Sequence, residues 1–164
     1  MSPAPHSVEA ALDHLLAAAR PPSAWETLSL DAALGRILAD PLVAQVTVPP
    51  LDNSAMDGYA VHLTDGANEA ALPVTQRIPA GSLGQPLARG EAARIFTGAP
   101  LPSGADTVVM QEDCAADAGR VRILRLPKPG ENIRRAGEDI AAGQTVLAAG
   151  SRLGAAQLGV AASV

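Results

Sequence analysis

The stretch PPLDNSAMDGYAV, residues 49–61, decides how this 164-residue chain is read. Asp52, Asn53, Ser54, Asp57 and Gly58 are turn-formers, because short polar side chains bond to nearby backbone and glycine tolerates positive φ. An ordinary tight turn needs only about two to four such residues. This loop holds more polar groups than a turn requires, and loops carried on sheets are where binding and catalytic groups concentrate.

Outward from the loop the chain reads as strands from residue 42 to about 149. VAQVTV precedes it and YAVHL ends it, followed by LPVTQRI, AARIFTG, DTVVMQ, RVRILRL and QTVLAAG. These are short runs of Val, Ile, Leu and Thr, and most of the 15 glycines and 14 prolines fall between them, as in sandwiches and barrels. In RVRILRL, Val121 and Ile123 face one way, with Arg122 and Arg125 on the other side or at the edge. DTVVMQ alternates poorly, which predicts a strand buried on both faces. Three helices are expected. The first spans residues 7–19, with Ser7 as N-cap and Pro21-Pro22 as its stop; the second spans residues 31–39, with Leu34, Ile37 and Leu38 on one side. The third, residues 153–164, ends inside an apolar pattern, which predicts a fragment of a longer protein. The fold class expected is mainly β with short helices, α+β.

Composition narrows the function classes. Hydrophobic residues make up 48% and charged residues 18%, with a net charge of −5. An acidic chain whose one basic pair is Arg134-Arg135 disfavours nucleic-acid binding, which wants a basic face. The single cysteine, Cys114, rules out an internal disulfide framework and fits a reducing compartment. The start of the chain lacks the basic and continuously apolar segments of a secretory signal, and no run is long enough for a membrane span. The expectation is a soluble, cytoplasmic protein.

Four polar clusters stand out: the opening loop; Thr97-Gly98 at a strand end in IFTGAPLPSGAD; Glu112-Asp113 in MQEDC; and GENIRRAGEDI, residues 130–140. Oxygen-only side chains on loops suit a hard cation such as Mg²⁺, and Arg134 and Arg135 suit phosphate or another oxyanion. Each cluster has a plainer reading. Asp52 and Asn53 read first as Asx-turn residues, Asp57-Gly58 as a hairpin turn, Glu112-Asp113 as a solvated strand exit, and the arginines as a salt-bridge face. His6, His14 and His62 are too scattered for a metal set. Cys114 beside acids should have no lowered pKa, against a nucleophilic role.

DNSAMDGYAV, RIFTGAPLPSGADTVVMQED and GENIRRAGEDI, in this order and at these separations, closely resemble the molybdopterin molybdenumtransferase family, the MoeA-type enzymes related to the E domain of gephyrin. The flanks, ALGRILA and GQTVLAAGSRLGAAQLGVAASV, agree, so the resemblance covers the chain from about residue 7. It implies an enzyme of molybdenum cofactor biosynthesis that uses Mg²⁺ to cleave adenylylated molybdopterin and inserts molybdenum from molybdate. It also implies an elongated homodimer built from a dimerisation domain, an inserted β-rich, barrel-like domain, an α/β domain and a C-terminal β-barrel. Carried across, residues 1–47 and 139–164 form the two parts of the dimerisation domain and residues 48–138 the inserted domain, while the α/β and C-terminal β-barrel domains are missing.

The resemblance implies catalytic roles for Asp57, Thr97 and Asp139. Asp57 and Asp139 are the carboxylates that orient Mg²⁺, water or substrate, and Thr97 a hydrogen-bond donor. Ser54, Arg134 and Arg135 are the expected cofactor-binding residues. The upstream molybdopterin adenylyltransferase is an expected partner. The fragment is expected to be inactive alone, because the resemblance places half of the composite site in the α/β domain. The alternatives are a non-catalytic dimerisation or scaffold module of the same family and an unrelated small-molecule-binding β-domain.

Overall fold

The computed structural model describes residues 7–20, 22–63 and 71–164, so His6 and Pro21 lie outside the described residues. Helix α1 (Val8–Ala18) is capped by Ser7, whose hydroxyl accepts from the Ala10 N–H at 3.1 Å. Nothing among the described residues covers it: Val8, Leu12, Leu15 and Leu16 are all more than half exposed. Ten strands follow, β1 (Leu42–Val43), β2 (Asn53–Ser54), β3 (Gly58–Val61), β4 (Leu72–Ile78), β5 (Ala92–Ile95), β6 (Thr107–Met110), β7 (Cys114–Asp117), β8 (Arg120–Ile123), β9 (Ile133–Arg134) and β10 (Thr145–Leu147). Helix α2 (Ala155–Ala162) comes last. The described chain is thus mainly β with two α-helices.

Six strands form one mixed sheet in the order β6-β3-β5-β4-β8-β7. Its two edge strands, β6 and β7, are joined by a single 3-10 turn, Gln111–Asp113. In a flat sheet five strand spacings would hold those edges about 24 Å apart, whereas a three-residue link reaches about 14 Å. The sheet therefore curls, and each of its faces buries an apolar cluster. Ala60, Ala93, Val108, Ile78 and Ile95 pack into one core cluster, while Val61, Ala92, Val109, Leu72, Val121 and Ile123 pack into another. Neighbouring residues of one strand go to opposite clusters, and that is why DTVVMQ lacks polar alternation: Thr107, Val108 and Val109 are all buried. Strand β8 alternates as expected, with Val121 and Ile123 inside and Arg120 and Arg122 outside.

The segments before and after this sheet pair with each other, antiparallel throughout. Ile37 bridges Arg152, Leu42 faces Leu147, Val48 bridges Ile140, and Asn53 faces Arg134. This ribbon explains two departures from the sequence reading. Residues 31–39 are not a helix: one 3-10 turn, Leu30–Ala32, gives way at Gly35, φ +80°, whose N–H donates to Leu153 O at 2.7 Å. The following backbone is taken up by residues 150–153, with Leu38 N–H on Ser151 O at 2.9 Å. VAQVTV is likewise broken. Only Val43 lies in β1, and the chain bends before Val48 rejoins the ribbon.

Candidate functional site

Strand β2 sits at the junction between ribbon and sheet. One edge pairs with β9, and the other meets the loop after β5 through the Asn53–Pro100 bridge. The Ser54 N–H donates to Ala99 O and the Gly98 N–H to Ser54 O, both at 2.9 Å. This pairing brings the FTGAP turn against the SAMDG loop. Asp57 and Thr97, 40 residues apart in sequence, meet there: Asp57 Oδ1 accepts from the Thr97 N–H and from its hydroxyl, both at 2.8 Å. The Thr97 N–H, then its hydroxyl, hold the Asp57 carboxyl below the usual carboxylate range, with a smaller contribution from Arg94. The second oxygen, Oδ2, makes no hydrogen bond among the described residues.

Asp57-Gly58 is not a hairpin turn, because its flanking strands pair elsewhere: β2 with β9, and β3 with β5 and β6. Gly58 is required by closeness, since a Cβ there would lie 1.9 Å from Val109 O. Ser54 is 1% exposed, and its hydroxyl donates to Met56 O at 2.6 Å. It shapes the loop from within, with no free hydroxyl toward solvent.

On the other edge of β2 lies a second cluster. Arg134 Nη2 donates to Asp139 Oδ1 at 2.5 Å, and its Nε reaches Glu138 Oε1 at 3.5 Å. Asp139, first among the causes, holds the Arg134 pKa above its usual value. Arg135 Nη1 donates to Asp52 Oδ2 at 2.6 Å, while the Ala136 N–H donates to Asp52 Oδ1 at 2.8 Å. Asp52 is therefore a long-range clasp between the two loops and not an Asx-turn residue. That N–H, and then Arg135, lower its pKa. The structure thus joins Asp57 directly to Thr97, and Arg134 directly to Asp139. The two pairs flank β2 with no hydrogen bond or ion pair between them among the described residues.

Among the described residues no three His, Cys, Asp or Glu side chains gather around a common point. Asp57 and Asp139 each keep one oxygen outside these hydrogen bonds. Mg²⁺ keeps waters and commonly takes one or two carboxylates plus substrate phosphates. The donor set fits an ion completed by a bound substrate better than one caged by this chain alone. His14 is exposed on α1, and His62 Nδ1 lies 3.7 Å from Asp106 Oδ2. The Cys114 thiol is pushed up to about 11, chiefly by burial and then by Asp113, so it is no nucleophile.

Arg94 is the neighbour that sequence reasoning missed. Its Nη1 donates to Gly58 O at 2.8 Å and its Nη2 to Gln111 Oε1 at 2.6 Å, tying β5 to the strand that carries the loop. The available signal was its place one residue before the strand end in ARIF.

The same arrangement of chain is found in solved proteins. The crystal structure of the molybdopterin biosynthesis moeA protein from Pyrococcus horikoshii OT3 superposes with a TM-score of 0.79 at 34% identity, covering 84% of this chain and 38% of that one. Among curated proteins, a molybdopterin molybdenumtransferase from Nostoc sp. is 48% identical over 146 residues, 84% of this chain and 33% of the relative. One from Haemophilus influenzae is 41% identical over 145 residues, 87% and 36% respectively. The chain therefore spans about a third of the length of these relatives. Residues 6–164 match the MoeA N-terminal region, domains I and II, and the chain belongs to that family.

Proposed function

We propose that this chain forms part of a molybdopterin molybdenumtransferase, which inserts molybdate into adenylylated molybdopterin with the help of Mg²⁺. The observation that carries the reading is the Asp57–Thr97 contact. It fixes one carboxylate oxygen with two donors and leaves the other for a ligand. Bound Mg²⁺ would neutralise phosphate charge on the substrate, with Asp57 and Asp139 as its protein ligands. Thr97 holds Asp57 in place and keeps it ionised. Ser54 shapes the loop, and Arg134 and Arg135 orient Asp139 and the opposite loop while offering guanidinium edges to an oxyanion. The working domain division is residues 1–47 and 139–164 for dimerisation and residues 48–138 for the inserted unit, supported by the pairing of the two flanks.

The working assembly is a cytoplasmic homodimer in which this site is completed by another domain, supplied with substrate by a molybdopterin adenylyltransferase. No described helix is long and apolar enough to cross a membrane. The chain alone is then inactive. Purified 164-residue chain given adenylylated molybdopterin, molybdate and Mg²⁺ should release no AMP above a protein-free control, while Mg²⁺ alone should shift the Asp57 and Thr97 resonances. Turnover by the isolated chain would refute the composite site; unmoved resonances in saturating Mg²⁺ would refute the metal role.

A second reading, a dimerisation or scaffold module, draws on the exposed apolar surface. Trp25, Leu34 and Ile37 are 79%, 64% and 60% exposed. Sedimentation showing a monomer at high concentration would remove the homodimer from both readings.

A further inference from the structure

Arg77 and Arg94 stand directly opposite each other on the parallel strands β4 and β5. Both guanidinium groups lie against the Phe96 ring, 4.4 and 4.5 Å from its centroid. Like charges facing one another across neighbouring strands destabilise a sheet, and this acidic chain has carboxylates with which to relieve them. Elsewhere it does so: Arg36 faces Glu26, Arg125 faces Asp113 and Glu131, Arg134 faces Asp139, and Arg135 faces Asp52. Arg77 and Arg94 have no carboxylate partner among the described residues. Arg94 bonds only to neutral oxygens, and the exposed Arg77 guanidinium makes no hydrogen bond at all among them. Stacking on an aromatic ring holds each guanidinium in a defined plane. The Arg77 fork is left open to an oxygen ligand, while Arg94, already bonded through Nη1 and Nη2, has its Nε–H and one Nη2–H to offer.

These arginines line one side of a groove of about 490 Å³, within the size range of small-molecule sites. Tyr59 and Thr75 contribute to its lining on the sheet, and the opposite side is the tight turn between β7 and β8. That turn is anchored by Arg120, which donates through Nε and Nη2 to Ala71 O at 3.1 and 2.5 Å. Two arginines without an ion-pair partner among the described residues, an aromatic surface and a threonine hydroxyl occur together on one open face, with Arg120 and the Asp117 carboxylate also on its lining.

We propose that this groove binds a phosphate-bearing small molecule of nucleotide size, with Arg77 and Arg94 as its oxyanion clamp. The site is distinct from the Asp57 and Asp139 carboxylates and needs no metal. Arg94 touches both places, lining the groove and donating to Gly58 O, so phosphate held here is one hydrogen bond away from the strand that follows the Asp57 loop.

The test is a titration of the 164-residue chain with AMP, followed by NMR in the presence of a chelator, so that no metal mediates the contact. AMP should move the Arg77, Arg94 and Tyr59 signals, inorganic phosphate should compete for the same signals, and adenosine should bind at least about tenfold more weakly. Arg77→Gln, which removes no hydrogen bond among the described residues, should weaken AMP binding roughly tenfold. Arg152→Gln, on the ribbon, should leave it unchanged. No movement at up to about 10 mM AMP, equal binding of adenosine, or undiminished binding by Arg77→Gln would each overturn the proposal. The metal reading is tested by Mg²⁺ alone, so either reading can fail without the other.

Discussion

Gly58→Ala tests whether the close approach of β3 and β6 is what shapes the Asp57 loop. A Cβ at this position would lie 1.9 Å from Val109 O and 2.8 Å from its carbonyl carbon, both backbone atoms that cannot swing aside. Carbon and carbonyl oxygen approach no nearer than about 3.3 Å even in favourable contacts. The strands must therefore part by more than an ångström, opening the Gly58–Met110 pair between them. Overpacking costs about 1–3 kcal/mol, and loosening a buried backbone pair adds about 1–3 kcal/mol. The smaller entropy of an unfolded alanine offsets about 0.4–1 kcal/mol of this. The net loss is about 1–5 kcal/mol, which lowers Tm by roughly 3–15 °C in a chain of this length. Urea titration at constant m-value measures it. The control is Gly159→Ala in α2, where the added methyl meets open space and should stabilise by about 0.5–1 kcal/mol. A Gly58→Ala chain within about 0.5 kcal/mol of its parent would show that the sheet yields freely there, and the account of the loop would fall.

Four further outcomes follow from the packing and the charges. Ile95 is fully buried in the core beneath the FTGAP turn, so Ile95→Ala should cost about 2–5 kcal/mol by denaturant titration. Thr97→Val removes the hydroxyl but keeps the N–H, so the Asp57 pKa should rise part of the way back to its ordinary value, read by carboxyl-carbon NMR. Asp52, Asp57 and Glu131 all have lowered folded pKa values against ordinary values of 3.8 and 4.5. A depressed carboxyl adds stability that is present above its unfolded pKa and lost as pH falls through its folded one. Tm should accordingly hold steady down to about pH 5 and drop below about pH 4; an undiminished Tm at pH 3 would contradict this. Cys114, at about 11, should resist iodoacetamide at neutral pH until the chain is unfolded.

The sheet was legible in the sequence because its strands bury apolar side chains. LPVTQRI coincides with β4 to the residue, while AARIFTG and DTVVMQ contain β5 and β6 but run past their ends. Strand β7 was not legible: CAAD carries three exposed residues and owes its form to pairing with β8. Residues 31–39 misled because Leu34, Ile37 and Leu38 are spaced as on a helix, yet Gly35 and the partner segment 150–153 impose extended pairing. At the site, motif reading reached Asp57 and Thr97. Their contact depends on the pairing of Ser54 with residues 98–99, which no local pattern encodes. The Asp52–Arg135 clasp spans 83 residues and was invisible for the same reason.

The paired flanks carry an architectural consequence. Since the chain enters the six-stranded unit at β2 and leaves it at β9 side by side, the host backbone resumes where it departed. A segment whose two ends sit side by side on paired strands can be exchanged or resized without re-threading what lies beneath.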